Sequence, residues 1–260
     1  LGIKTNISID KLPKKYKQYR LIETIDGVSD TVYLLDDKYV VKIFENSSKE
    51  QINNEYKLLN ELKNINVPKV VDIFQVDKKY AAIYTCIGGA SIKSANLSHI
   101  KQIGVFLNKL HEQTSLKTNT NKKLFSVENL KILIDSSKQS ELLNYFNNIN
   151  ITLNDDGLIH GDIFLDNVKF KDDILSGVYD FSEVCEGDFH FDLAVVSISW
   201  CFDQEVLNYE KLNALLKSYN TNIDLKIFIE YIKYALLYYA TIRFITNRDF
   251  TQLARRIEKL

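Results

Sequence analysis

Three oxygen-bearing side chains stand at informative intervals in the second half of the chain. They are Asp162 within His160-Gly161-Asp162, Asn167 five residues later, and Asp180 thirteen residues beyond that in Val178-Tyr179-Asp180-Phe181. An aspartate on a loop can take the proton of a hydroxyl group, while an asparagine and an aspartate can hold Mg²⁺ against nucleotide phosphates. One base and two metal ligands are what phosphoryl transfer requires. Mg²⁺ suits such a sparse set, because it takes one or two protein oxygens, keeps some water and completes its octahedron with phosphate.

Local signals place these groups. Asp155-Asp156-Gly157 reads as a turn, and Leu158-Ile159 as a short apolar run that delivers the His-Gly-Asp loop. Val168-Lys169-Phe170 alternates apolar and polar, Lys171-Asp172-Asp173 is a second turn, and residues 174–181 are strand-like. The two runs suit a hairpin with Asn167 at its beginning and Asp180 at its end, which returns the two ligands to one another. For His160 the reading is loop-bracing hydrogen bonds, since a hard cation prefers oxygen.

Upstream, residues 21–25, 31–35 and 39–44 read as three antiparallel strands with Asp26-Gly27 and Asp36-Asp37 as turns. Lys42 stands on the third among Val40, Val41, Ile43 and Phe44, where a charge needs an anionic partner. Ser47-Ser48-Lys49-Glu50 has the form of a capping box, with Ser47 as N-cap and Glu50 at N3, opening a helix to about residue 63. Ile52, Tyr56 and Leu59 form its apolar stripe, and Glu55 lies close enough to that stripe to point inward and pair with Lys42 over the α and β phosphates. The turn at 26–31 has one glycine. Two readings stand for it: a phosphate-covering loop using the amides of Val28 to Asp30 and the Ser29 hydroxyl, or an ordinary hairpin turn. Residues 81–84 read as a buried strand broken by Cys86-Ile87-Gly88-Gly89, a hinge at which backbone groups of Thr85 to Ile87 would face adenine.

The remainder is helical. Ser98 is read as the cap of a helix whose buried stripe is Ile100, Ile103, Leu107 and Leu110, closed by a structural His111. An amphipathic stretch follows at 126–148, then helices at 190–206, 209–219 and 224–247, while 118–123 is a polar loop. The fold class expected is α+β and bilobal, with a small antiparallel-sheet nucleotide lobe at 1–88 and a larger, mainly helical catalytic and substrate lobe at 89–260. The end of the chain is basic, with Arg243, Arg248, Arg255 and Arg256, and arginine is suited to bidentate carboxylate recognition. Glu183, Glu186 and Asp188 follow the metal-binding strand and could receive an ammonium. A hydroxyl-bearing amino acid fits that pairing.

The runs LIHGDIFLDNVKF, LSGVYDF and DFHFDLAVVSISWCFD, with Arg243-Phe244 and Arg248 near the end, resemble the aminoglycoside phosphotransferase and choline kinase superfamily. That superfamily has a protein-kinase-like fold and acts on small-molecule hydroxyls, and the nearest likeness within it is to the homoserine kinases of that fold. The resemblance implies an ATP-dependent phosphotransferase with Asp162 as base, Asn167 and Asp180 as magnesium ligands, Lys42 on the ATP phosphates and Asp192 bracing the catalytic loop. It makes homoserine the first acceptor, with aminoglycosides, choline, ethanolamine or methylthioribose as alternatives, and a catalytically silent nucleotide-binding regulator as the reading outside enzymes. Protein kinases are disfavoured: the G-x-G-x-x-G loop and an A-P-E segment are missing, and Ser182 follows Asp180-Phe181 where they carry glycine.

Composition agrees. A net charge of −1 gives no electrostatic footprint for nucleic acid or a membrane surface. No apolar run reaches the length of a membrane span, and the first residues carry no signal-peptide core. Cys86, Cys185 and Cys201 lack C-x-x-C spacing, so neither zinc nor a disulfide framework is expected, and a reducing cytoplasmic setting follows. Oligomeric state is left open.

Overall fold

The computed structural model describes residues 2–24 and 30–260, so Ser29 and most of the turn read as phosphate-covering lie outside the described residues. Strands β1 (Leu21–Glu23), β2 (Thr31–Leu35) and β3 (Tyr39–Ile43) are followed by helix α1 (Lys49–Glu61), then β4 (Val70–Val76) and β5 (Lys79–Thr85). They form one antiparallel sheet in the order β1-β2-β3-β5-β4. Strand β4 had no sequence expectation, because its run Val-Val-Asp-Ile-Phe-Gln-Val alternates poorly and its pairing with β5 carries a bulge between Val70 and Asp72.

Alternation divides the sheet into two faces. Tyr33, Leu35, Val41, Ile43, Ala81 and Ile83 pack outward on Ile7, Leu12 and Tyr16 of the N-terminal segment, forming a small satellite core. On the other face Ala82 and Tyr84 join α1 and the main core, and Lys42, paired in register with Ala82, shares their face. Helix α1 starts one residue later than expected. Ser48 is the N-cap and Gln51 the N3 residue, with Gln51 N donating to Ser48 Oγ at 3.2 Å and Ser48 N to Gln51 Oε1 at 2.8 Å. That register turns Ile52, Glu55, Leu58 and Leu59 inward and leaves Tyr56 41% exposed, so Tyr56 is not part of the buried stripe.

Helix α2 (Leu97–Thr114) is capped by Asn96 rather than Ser98, since His99 at N3 completes the box from Asn96. The stretch 126–148 is two helices, α3 (Val127–Ser137) and α4 (Ser140–Asn148), separated where Lys138 adopts φ +56°. Strand β6 (Gly157–Ile159) leads into the His-Gly-Asp loop, and β7 (Val168–Lys171) with β8 (Ile174–Val178) forms the expected hairpin. Strand β9 (Cys185–Gly187) returns to pair with β6. Helix α5 (Phe189–Trp200) is buried on all sides and is therefore the hub of the helical region. It stops short of residue 206 because residues 202–207 fold back as the hairpin β10 (Phe202–Asp203) and β11 (Val206–Leu207), turning at Gln204 with φ +58°. Helices α6 (Tyr209–Tyr219), α7 (Leu225–Ile245) and α8 (Thr251–Glu258) complete the chain, the last without a sequence expectation. Among the described residues no helix is long and apolar enough to cross a membrane.

Gly161 shows how tightly the loop after β6 is held. It sits at φ +76°, and a β-carbon there would fall 2.1 Å from Phe125 Cε2. Gly161→Ala should cost about 2 kcal/mol or more from left-handed strain plus overpacking. The check is the urea midpoint, and a variant that unfolds with the wild type would contradict this packing.

Candidate active site

The loop carrying Asp162 is anchored from below by α5. The Asp192 carboxylate is fully buried; its Oδ2 accepts from His160 N at 2.9 Å and its Oδ1 from Gly161 N at 2.7 Å. His111 Nε2 lies 3.0 Å from the same Oδ2. A carboxylate only accepts, so Nε2 donates to it, while His111 Nδ1 lies 2.9 Å from the Tyr219 hydroxyl. Burial works against the Asp192 charge, but its bond to His111 and its other partners outweigh this and hold its carboxyl below the usual range. His160 braces the loop as expected: Nε2 donates to the Tyr179 carbonyl at 3.1 Å, and Nδ1 accepts from Asp162 N at 3.2 Å. Burial lowers its pKa, which favours the neutral ring this arrangement needs.

Asn167 and Asp162 meet directly. Asn167 Nδ2 donates to the Asp162 carbonyl and to Asp162 Oδ2, both at 2.9 Å, so its own Oδ1 stays available to a cation. Above the loop, the Tyr239 hydroxyl of α7 bonds the Gly161 carbonyl and lies 3.4 Å from Asp162 Oδ1. Sequence reasoning missed Tyr239, one of several tyrosines on that helix. Burial first, then the charges of Glu183, Asp180 and Asp166, push the Asp162 carboxyl up to about 8. A carboxyl so placed is a stronger base than a solvated one.

Lys42 reaches this region from β3. Its Nζ lies 2.7 Å from Asp180 Oδ1 and 3.4 Å from Asp30 Oδ2, whereas the expected ion pair with Glu55 is not formed. Glu55 is nevertheless inward and buried, bonded to the Tyr84 hydroxyl. The lysine takes Asp180 and Asp30 because both lie nearer to Nζ, and Glu55 acts on it through space. Burial disfavours the Lys42 ammonium, but Asp180, Glu55 and Asp30 outweigh it and keep the group protonated beyond the usual lysine range. Asp180 is held down at about 2, against its burial, by Lys42 and by the Ser182 hydroxyl that donates to Oδ1 at 2.7 Å. Its side chain is 41% exposed, so water screens part of that attraction. Asp180 adopts φ +65°, a left-handed conformation that Asp tolerates better than most residues, and strain of this kind concentrates at functional positions.

At the expected hinge, Thr85 N donates to the Lys69 carbonyl at 2.9 Å and Cys86 N to the Lys38 carbonyl at 3.0 Å. The Thr85 and Cys86 amides are therefore committed within the protein and are not open to adenine, a correction to the hinge reading of those two groups. The chain beyond is pinned to the hairpin, since Ala90 and Phe170 exchange backbone bonds of 2.9 Å in both directions. Glu183 stands exposed close enough to raise Asp162, but its acidic neighbours are otherwise engaged. Asp188 is buried, capping α5 and accepting from Tyr231 at 2.8 Å, and Glu186 pairs with Lys123 at 3.2 Å, so both carboxylates are engaged within the protein. Arg243 lies one helical turn beyond Tyr239 on α7, its guanidinium 3.5 Å from the Asp249 carbonyl. Arg255 pairs with Glu205 at 3.2 Å, and Arg256 stacks 4.5 Å from the centre of the Phe202 ring while donating to the Ile198 carbonyl.

The donor set fits a hard cation. Asn167 Oδ1 and Asp180 Oδ2 are oxygens that the loop and Lys42 leave unspent. Among the described residues no three His, Cys, Asp or Glu side chains gather as a metal cage. Two protein oxygens with phosphate completing the sphere is how Mg²⁺ is commonly held beside a nucleotide.

Comparison with known proteins agrees with this geometry. The model described as the phosphotransferase enzyme family matches residues 21–219. A homoserine kinase of Methylobacillus flagellatus is 24% identical over 248 residues, covering 85% of this chain and 78% of that protein. One from Janthinobacterium is 27% identical over 253 residues, covering 85% and 79%. Among solved structures, a GDP complex of a mutant aminoglycoside 2'-phosphotransferase-IIIa superposes with TM-score 0.64 at 15% identity, covering 92% of this chain and 89% of that one. A streptomycin–ATP ternary complex of an aminoglycoside phosphotransferase superposes with TM-score 0.60 at 20% identity, covering 90% of each chain. These likenesses establish the kinase-like fold.

Two titrations test the electrostatics. Burial pushes the Glu55 carboxyl up to about 7, so between 4.5 and that value the folded chain keeps a proton that the unfolded chain releases. Stability linked to Glu55 therefore falls as pH rises through this window, and Glu55→Gln should flatten the change in melting temperature across it. An unaltered slope would contradict the buried position. Because Glu183 raises Asp162, Glu183→Gln should move the acidic limb of the kcat/KM profile to lower pH, whereas a limb that stays in place would separate the two groups.

Proposed function

The chain belongs to the phosphotransferase enzyme family, and from that premise we propose that it transfers the γ-phosphate of ATP to the hydroxyl of L-homoserine, with Mg²⁺ at Asn167 and Asp180. The observation that carries the reading is two pairs, Asn167 bonded to Asp162 at 2.9 Å and Lys42 to Asp180 at 2.7 Å, with the Asp180 charge near enough to act on Asp162. In this reading residues 1–88 receive the nucleotide, and 89–260 supply the catalytic loop and the acceptor site. Asp162 takes the proton of the acceptor hydroxyl as its oxygen bonds to phosphorus and the bond to the ADP oxygen breaks. Asn167 holds Oδ2 of that base and leaves Oδ1 to face the hydroxyl beside Tyr239. Lys42 exchanges its carboxylate partners for nucleotide phosphate. Mg²⁺, when bound, would neutralise charge on the β and γ phosphates.

Homoserine is favoured by the homoserine kinases among the relatives and by Arg243, the arginine one turn beyond Tyr239, as a partner for a carboxylate. Glu183 is the candidate for the ammonium. Charge supports a second reading: Asp162, Asp166, Asp180 and Glu183 together favour a cation, which a polycationic acceptor such as an aminoglycoside also supplies.

The test is ADP release from Mg–ATP over L-homoserine, choline, ethanolamine, methylthioribose and kanamycin. Selective turnover of homoserine is expected, with Arg243→Ala raising KM about tenfold or more for carboxylate-bearing acceptors only, the scale of a lost charge-assisted bond. Preference for kanamycin, untouched by that substitution, would replace homoserine with the second reading.

A further inference from the structure

With Lys42 engaged by Asp180 and Asp30, no Lys42–Glu55 ion pair ties α1 to the sheet. A polar loop instead ties α1 to the segment that follows Asp180. Asn54, the residue before Glu55, donates through Nδ2 to Thr120 Oγ1 at 3.0 Å and to Asn121 Oδ1 at 2.8 Å. Asn121 Nδ2 in turn donates to the Val184 carbonyl at 2.6 Å, an oxygen that also accepts from Asn119 Nδ2 at 3.0 Å. Asn119 Oδ1 accepts from Asn121 N at 3.0 Å, which fixes the loop's own shape.

The Asn121 amide thus works in both directions. Its oxygen faces α1 and its nitrogen faces the segment that follows Asp180, where Val184 is buried and adjoins Glu183. Aspartate would lose the donor, and serine would lack the reach. We infer that residues 118–123 form a strap and that Asn121 is a positioning residue, holding the Glu55 helix against the Asp180 segment in the relation that nucleotide binding needs. The inference rests on the nucleotide-binding part of the reading above and not on the identity of the acceptor. None of the strap residues is assigned to the nucleotide, so their effect must pass through the placement of α1 and of the Asp180 segment. Release of Asn121 lets α1 withdraw, removes Glu55 from the field around Lys42 and leaves the lysine more tightly bound to Asp180.

The experiment measures Mg–AMP-PNP affinity by calorimetry in wild type, Asn54→Ala, Asn121→Ala and the double variant, with amide hydrogen exchange on each. Asn121→Ala should weaken binding about five- to tenfold, the lower range of coupling between distinct sites. The double variant should be no worse than Asn121→Ala, because the two residues share one chain of bonds. Exchange should quicken several-fold in residues 49–61 and 181–184 with the rest of the chain unchanged. Affinities within twofold of wild type, additive losses, or faster exchange spread over the whole molecule would each overturn the strap. If wild type itself fails to bind AMP-PNP, the nucleotide reading falls, and the exchange pattern alone decides whether the strap holds α1.

Discussion

One buried charge organises the catalytic loop. The Asp192 carboxylate lies in the first turn of α5, where water cannot reach it, and such burial costs several kcal/mol unless hydrogen bonds replace the lost hydration. It meets that cost with two consecutive loop amides and a histidine, at 2.7 to 3.0 Å. Because the amides belong to His160 and Gly161, the peptide entering Asp162 is fixed before any side chain of the site is considered. Gly161 can then take its left-handed turn against Phe125, His160 can reach the Tyr179 carbonyl just ahead of Asp180, and Asn167 can fold back on Asp162. The candidate base and both candidate metal ligands are therefore positioned by one carboxylate that lies behind the loop.

The second constraint is an excess of negative charge around Lys42. Asp30, Glu55 and Asp180 all act on that single ammonium, and Asp162 and Glu183 stand near enough to be felt. Such a cleft is polarised towards cations. The raised Asp162 and the lowered Asp180 differ in their surroundings: the first is buried, with like charges adding to the effect, while the second lies against the lysine, which outweighs its burial. Two aspartates of one loop system thus acquire opposite tendencies, one towards taking a proton and one towards remaining an anion.

Much of this was legible in the chain. The intervals from Asp162 to Asn167 and Asp180 foretold the hairpin, and the apolar neighbours of Lys42 foretold a buried lysine in want of an anion. The partner was not legible, since choosing Asp180 and Asp30 over Glu55 depends on distances between segments far apart in sequence. The cap of α1 was misplaced by one residue because Ser47 and Ser48 are both competent and only the burial of Glu55 and Leu58 decides between them. Short pairings such as β9 with β6 carry too few residues to announce themselves. Tyr239 and Asn121 were missed for a related reason: each makes its hydrogen bonds to segments far away in sequence, which no local pattern encodes.

The account stands on Asp162 as the base, and the most direct measurement is kcat of Asp162→Asn beside its affinity for Mg–AMP-PNP. Asparagine keeps the shape of the side chain but cannot take a proton. The account predicts a kcat lower by about two to four orders of magnitude, the range for a positioned general base, with nucleotide affinity close to that of wild type. A near-normal kcat would contradict it and move the chemistry to another residue.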